Sequence, residues 1–483
     1  MFDKLLQKLV DVFSSQTAIY VYILIILGLV FFLVISLLKK EAQEKRESQT
    51  LKLNEDPIER IENLIDKKLE NIEVASSSKQ EVKIVLDKNV TAAPAASSAP
   101  SQPVVEHESH VVHEASEGEE GEDNESRFYM LTQIDKRFET YKAPKYDNEI
   151  TLKKLCDDFR LFSAGKLKLY YDIEDIRRFI AGLSVTKLII LQGMSGTGKT
   201  SLAYAFGEYL NNKTVVVPIQ PMWKERTDLV GYYNEFTKKF NETTLLYKMY
   251  EANYNDEIYI TVLDEMNIAR IEYYFAEFLS LLELPNPEGR NLDVVSDKWD
   301  NDPILLKDGK LRLPINMWFI GTANNDDSTF AISDKVYDRA MVLNLDKKAK
   351  KFDAPKLEPS KLSSSHLQKL FIEAQDEYSM SDRNSRRIKK LDEYMIEKFH
   401  LTFGNRIMKQ INSYVPVLVS CGGTELQAID DILSRKVFRK LESKNPVYVR
   451  QQAEGLCAYL DELFGEDQMP LCKEAIHLIE QNV

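Results

Sequence analysis

The sequence predicts an α/β fold: a parallel sheet flanked by helices, followed by an α-helical lid and preceded by a membrane-spanning helix and a disordered linker. Three observations carry this. Buried apolar strands run into polar loops at 187–192, 258–263 and 315–321, the first followed at once by a glycine-rich loop and an amphipathic helix. Residues 367–442 keep helical periodicity with few strand-like runs. Ala18 to Leu38 is uncharged and rich in Ile, Leu, Val and Phe, and at 1.5 Å per residue it spans roughly 31 Å, the thickness of a bilayer core.

The N-terminal elements follow from composition. After a short segment 1–17, the span 18–38 reads as a transmembrane helix; a cleaved signal peptide is the alternative, but such a core is shorter and ends on small residues, whereas Lys39 and Lys40 follow here. With Lys45 and Arg46 they outnumber Lys4 and Lys8, so the positive-inside tendency puts the bulk of the chain in the cytoplasm, behind a bacterial inner membrane. Residues 39–75 form a charged juxtamembrane helix with Ile58, Ile61, Ile65 and Ile72 on one face, able to pair with copies of itself. Residues 76–127 turn to Ala, Pro, Ser and Glu, a composition that buries too little apolar surface to fold, and read as an acidic tether. His107, His110 and His113 recur there at every third residue; a metal site and solvated side chains are both compatible, and the acidic disordered setting favours the second.

The chain has 483 residues with a formal net charge of −13. Nine of its acids fall between Asn89 and Ser126, where there is no Lys or Arg, so no pervasive basic surface indicates nucleic acid. Four cysteines, Cys156, Cys421, Cys457 and Cys472, include no Cys-x-x-Cys pair and read as buried thiols of a reducing compartment. No histidine lies between Ser126 and Lys350, which excludes a histidine base in the central region.

After a helical pre-core segment at 128–180, the core spans 181–350. Gly193-Met-Ser195-Gly196-Thr197-Gly198-Lys199-Thr200-Ser201 between strand and helix is a phosphate-binding loop. Its glycines let backbone N–H groups wrap phosphates at a helix N-terminus, Lys199 reaches the β and γ oxygens, and the Thr200 hydroxyl ligates Mg²⁺. The strand Ile258–Leu263 then ends in Asp264-Glu265. Asp264 would hold the Mg²⁺ shell, and Glu265 would polarise the attacking water. Ile315–Gly321 leads to Asn324, placed to orient that water, and Ser333–Arg339 offers Arg339 toward a neighbouring subunit's γ-phosphate.

These residues resemble the AAA+ NTPases, and among them the McrB-type branch, the motor of modified-cytosine restriction systems, with MoxR and dynein-related modules as looser relatives. The resemblance covers roughly 172–441. Asp264-Glu-Met-Asn267-Ile-Ala269 is similar to the branch's Asp-Glu-Ile-Asn-Arg-Ala, with Phe275, Glu277 and Glu283 in register, and Asn324-x-x-Asp327 resembles its Met-Asn-x-x-Asp signature. Ala323 stands where the signature has Met, which weakens a carry-over of GTP preference, so ATP is expected over GTP. The resemblance further implies that Asn324 is the sensor 1 residue, Arg339 a trans-acting arginine finger, and Arg406, in Phe403-Gly-Asn-Arg406, the nucleotide-binding sensor 2 residue of a lid at 351–442. Residues 443–483 add two helices.

Two further elements stay open. Trp223–Asn234 is either packing or a segment that meets substrate or a neighbouring subunit. The apolar runs flanking Asp308-Gly309 within 303–314 predict a hairpin, which either lines a pore or edges the fold. The reading as a whole is a membrane-anchored cytoplasmic NTPase that hydrolyses ATP in a ring, expected to be a hexamer, to remodel or move an unknown protein partner, with a defence system as one setting. The alternatives are a GTP-hydrolysing motor acting on DNA with a nuclease partner, and a nucleotide-dependent scaffold without turnover.

Overall fold

The computed structural model describes residues 126–324 and 329–481. All of them belong to one of the two units into which the chain divides, 116–483. The expected transmembrane helix at 18–38, the juxtamembrane helix and the tether lie outside the described residues. Among the described residues no helix is long and apolar enough to cross a membrane.

The centre is a five-stranded, all-parallel sheet. Its strands are β1 (Leu188–Gln192), β2 (Val215–Pro218), β5 (Tyr259–Asp264), β9 (Met317–Ala323) and β10 (Met341–Asn344), in the order β10-β1-β9-β5-β2. β5 and β9 are buried along nearly their whole length, which matches their unbroken apolar runs. The chain leaves β1, passes over the places of β9 and β5 to β2 at the far edge, and returns last to β10 on the other side of β1. The crevice beside β1 at the carboxyl ends of the strands is therefore the topological switch point. We call the carboxyl edge of the sheet its head and the amino edge its foot.

Helix α4 (Lys199–Tyr209) packs Leu202, Ala203 and Phe206 into the core. Phe206 meets the rings of Phe159 on α2 (Leu152–Lys166) and Phe179 on α3 (Ile173–Val185), so the pre-core helices close one face of the sheet. The other face is covered from α6 (Thr244–Ala252) to the short helices α7 (Ile271–Tyr274) and α8 (Ala276–Leu282). The rings of Phe275 and Phe278 rest on Phe319 of β9.

Two small sheets project from this core. The Asp308-Gly309 hairpin forms as the sequence predicts: β7 (Leu306–Lys307) pairs with β8 (Lys310–Arg312), and both turn residues have positive φ, 52° and 73°, the geometry this dipeptide favours. A third strand, β6 (Asn291–Asp293), adds to β8. The second hairpin, β3 (Gly231–Asn234) with β4 (Lys239–Glu242), occupies the segment that the sequence leaves open beyond Trp223. At its tip the Asn234 side chain accepts hydrogen bonds from the amides of Phe236 and Thr237, and the Phe236 side chain is 98% exposed.

The lid is helical as expected: α10 (Ser364–Glu377), α11 (Asp382–Phe399), α12 (Gly404–Ser420) and α13 (Glu425–Lys436), then α14 (Pro446–Phe464) and α15 (Pro470–Gln481). A buried ion cluster ties it to α3: Asp431 takes Arg178 and Arg435, and accepts a 2.5 Å hydrogen bond from the Tyr414 hydroxyl. Cys156, Cys421 and Cys472 are buried free thiols, whereas Cys457 is half-buried, a departure from the uniform burial expected of the four.

Candidate functional site

The head of β1 opens into the loop 193–198, where Gly193, Gly196 and Gly198 have φ of 143°, 76° and 94°. At Gly193 a β-carbon would also stand 2.6 Å from the carbonyl oxygen of Leu345, so only glycine fits between loop and β10. Met194, Ser195 and Gly196 are exposed; Thr197, Gly198, Thr200 and Ser201 are half-buried. Lys199 opens α4 and is buried, and its amine donates to the carbonyls of Gly193 (2.9 Å) and Met194 (2.8 Å) inside the loop. The Tyr171 hydroxyl, 27 residues upstream, donates to the Gly198 carbonyl at 3.3 Å. Burial raises the Tyr171 pKa, so the phenol stays protonated and holds that donor role.

Asp264, at the head of β5, faces the loop across β9. One of its oxygens accepts from the Thr200 hydroxyl at 2.8 Å and from the Thr322 hydroxyl at 2.8 Å. Thr322 in turn accepts from the Glu265 amide at 2.8 Å. Thr322 is thus the pivot of the site: buried on β9, it aims the carboxylate of Asp264 and anchors the turn that carries Glu265. That turn is forced. Glu265 has φ 52°, a left-handed conformation uncommon for a residue with a β-carbon, and its side chain is exposed at the head. Close beneath, Gly321 makes room for Met266: a β-carbon there would lie 1.9 Å from the Met266 sulfur.

Asn324 follows β9 directly, and its backbone is gripped by Asn267. The Asn267 amide group donates to the Asn324 carbonyl (2.9 Å) and the Phe330 carbonyl (3.3 Å), while its oxygen accepts from the Asn324 amide (3.3 Å). Asn267 therefore gathers both ends of 325–328; Asp327, expected from the sequence as part of the sensor signature, lies outside the described residues. Thr322 and Asn267 are functional residues that the sequence reading leaves without a role. Asn267 stands inside a quoted motif and Thr322 two residues before Asn324, at turn and strand positions where a buried amide or hydroxyl needs a partner.

The structure separates the arginines from this head. The turn carrying Arg339, after α9 (Asp334–Tyr337), enters β10 at Met341, level with Ile189, three residues or about 10 Å below the loop end. Glu283 ends α8, beyond the rings that pack on Phe319, and Phe319 is level with Leu188 at the foot of β1. Arg339 pairs with one Glu283 oxygen at 2.7 Å and Arg406, from the first turn of α12, with the other at 2.7 Å. Arg406, expected at the nucleotide of its own chain, thus lies with Arg339 on Glu283.

Lid residues hold the Arg339 turn from behind. The Lys436 amine, wholly buried, donates to the carbonyls of Tyr337 (2.8 Å) and Ala340, and Gln410 donates to that of Asp338 (3.1 Å). Burial pulls the Lys436 pKa from 10.5 to about 7, against the raising effect of Asp338. The Arg439 guanidinium stacks 3.9 Å from the centre of the Tyr337 ring, whose hydroxyl donates to Gln192 at 3.1 Å.

A triphosphate with Mg²⁺ fits the head by its donor chemistry. An amine is spent on loop carbonyls, and a hydroxyl and a carboxylate close on each other at the spacing of a shared ligand set. Among the described residues no three His, Cys, Asp or Glu side chains cluster to hold a metal.

Residues 188–340 match the AAA domain, dynein-related subfamily. No curated protein matches the chain. Among solved structures it is similar to a full-length MCM homolog from Methanopyrus kandleri, with 11% identity and a TM-score of 0.34 over 60% of this chain; the chain spans 61% of that one. The glycine loop with its lysine, the acidic end of β5 and the family match together make residues 188–340 a P-loop nucleotide-binding domain of the AAA type.

Proposed function

We propose that the protein is an ATPase whose active site is completed between neighbouring copies in a ring, and that it works on a macromolecular partner at a membrane. The observation that carries this reading is the distance between its halves. The loop, Asp264 and Glu265 stand at the head of the sheet, and the Arg339 turn enters at the foot, three strand residues or about 10 Å below the loop, with its guanidinium paired to Glu283. An arginine placed so serves the phosphates of the next copy, and a closed ring, by the family resemblance a hexamer, supplies one such contact per site.

Within the head, the loop amides and Lys199 would bind the β and γ phosphates, with Lys199 exchanging its carbonyl partners for phosphate oxygens. Thr200 and Asp264 would hold Mg²⁺, which when bound neutralises charge developing on the phosphates. Glu265, raised on its left-handed turn, would accept the proton of the attacking water, and Asn324 would orient that water. Arg339 from the neighbour would offset the negative charge gathered in the transition state. ATP is favoured over GTP because most AAA+ relatives use ATP and Ala323, standing where the branch has methionine, weakens the carry-over of its GTP preference. The membrane anchor rests on the apolar span 18–38, and the exposed tip of the β3–β4 hairpin, Phe236, supports a surface that meets the partner.

Steady-state turnover of the full chain in detergent or vesicles tests this, with ATP against GTP over a range of protein concentrations. ATP turnover that rises steeply with concentration and is lost in Glu265→Gln is expected. Turnover independent of concentration would remove the ring, and tight ATP binding without turnover would leave a nucleotide-dependent scaffold.

A further inference from the structure

We infer that Glu283 is a positioning residue that yokes Arg339 and Arg406 into one two-guanidinium contact for the triphosphate of a neighbouring copy. The inference rests on the ring reading above and deepens it, because it adds a second arginine to the shared site and a carboxylate that sets both.

Two guanidinium groups brought to one place repel each other unless an anion stands between them. Glu283 is that anion: each of its oxygens takes one arginine at 2.7 Å, so the three groups carry a net single positive charge and a fixed spacing. The arginines come from different bodies, Arg339 from the turn into β10 and Arg406 from the first turn of the lid helix α12; Gln410 of α12 also grips that turn through the Asp338 carbonyl, and Glu283 is the anion that the two guanidinium groups share. Accessibility separates this cluster from a purely structural one. In the Arg178–Asp431–Arg435 cluster that ties lid to core the central carboxylate is shut in, with Asp431 at 2% exposure and Arg435 at 7%, although Arg178 reaches 23%. Around Glu283 the side chains are 29% exposed at the carboxylate, 18% at Arg339 and 51% at Arg406, open to an arriving phosphate. The Nη1 of Arg339 also donates to the Lys335 carbonyl at 3.1 Å, which fixes that guanidinium, while the more exposed Arg406 keeps N–H groups turned to solvent for a second anion. Arg406 therefore acts on the neighbour's nucleotide and its lid moves with that contact.

The test uses the full chain, measuring ATP turnover against protein concentration and binding of a fluorescent ATP analogue. In Glu283→Gln the kcat falls about tenfold while the Kd for the analogue stays within about twofold of wild type, since the chain's own loop is untouched. Glu283→Asp, which keeps the charge and shortens the reach, recovers part of the loss. Arg406→Ala lowers kcat about tenfold in the wild-type background and less than about twofold when added to Glu283→Gln, because the two act through one contact. Thermal melting of each variant separates folding from positioning, and if Glu283→Gln fails to fold, Glu283→Asp paired with Arg406→Ala carries the same cycle. Wild-type kcat in Glu283→Gln, or losses that multiply in the double variant, overturns the inference with the ring reading intact. Wild-type protein without concentration-dependent turnover overturns the ring reading first, and this inference with it.

Discussion

The head and the foot of the central sheet are built on opposite principles. At the head, a glycine loop, a lysine and a threonine arrive in one stretch, and adjacent parallel strands bring Thr322 and Asp264 to it, where hydrogen bonds from Thr322 and Thr200 converge on the Asp264 carboxylate. At the foot, three charged side chains from 283, 339 and 406 meet only because helices deliver them there. The head is preset by backbone geometry, with positive φ at the loop glycines and at Glu265. The foot is held by side chains that water can reach. Under the proposed ring reading, a preset half and an adjustable half are what a site divided between two copies would require: one would bind before the partner arrives and the other would conform on contact.

The largest effect expected at the head is the loss of Lys199. Lys199→Ala should lower ATP turnover by about 10²- to 10³-fold and weaken binding of the analogue as well, because the amine meets phosphate in ground and transition states alike. The sharpest way to break the comparison is to mix two dead proteins. Arg339→Ala should itself lose about 10²-fold in kcat, yet mixed with Lys199→Ala it should regain activity, since some interfaces then join an intact head to an intact foot. A mixture no more active than its parts would place both halves in one chain. Thr322→Val comes next: it leaves the Glu265 amide without its acceptor and Asp264 without one donor. It should cost about 1–3 kcal/mol of stability by chemical denaturation, and about tenfold in kcat.

The last test concerns pH and stability alone. The folded pKa of Lys436 lies near 7, below the unfolded value of 10.5, so the unfolded chain binds more protons between those values. The burial penalty is complete below pH 7 and is relieved as pH rises from about 7 to 10.5. Relative to Lys436→Met, wild-type stability should therefore climb with pH across that window. A difference between the two that stays flat would mean that the amine is solvated in the folded protein.

How much of this was legible in the chain follows the same division. The loop, the acidic end of β5 and the Asp308-Gly309 hairpin each obey a local rule, in which a particular residue is needed for a particular backbone, and all three stand where the sequence predicts. The β3–β4 hairpin escaped because its strands bury little more than Gly231 and Phe240 and show no alternation. Strand β10 escaped because four residues, Met341–Asn344, are too few for a period. Arg406 was legible as an arginine of the lid and illegible as a partner of Glu283. An ion pair across 123 positions of sequence leaves no trace in either neighbourhood.

The tie between Gln192 and the Tyr337 hydroxyl has a consequence for timing. Gln192 is the last residue before the loop, and Tyr337 belongs to the turn that presents Arg339. In a ring, one copy's loop and the arginine it offers to the next would then share a single short lever. A change of nucleotide at one seam would tilt the arginine at the following seam, and firing would pass around the circle in order, like a wave with a fixed direction.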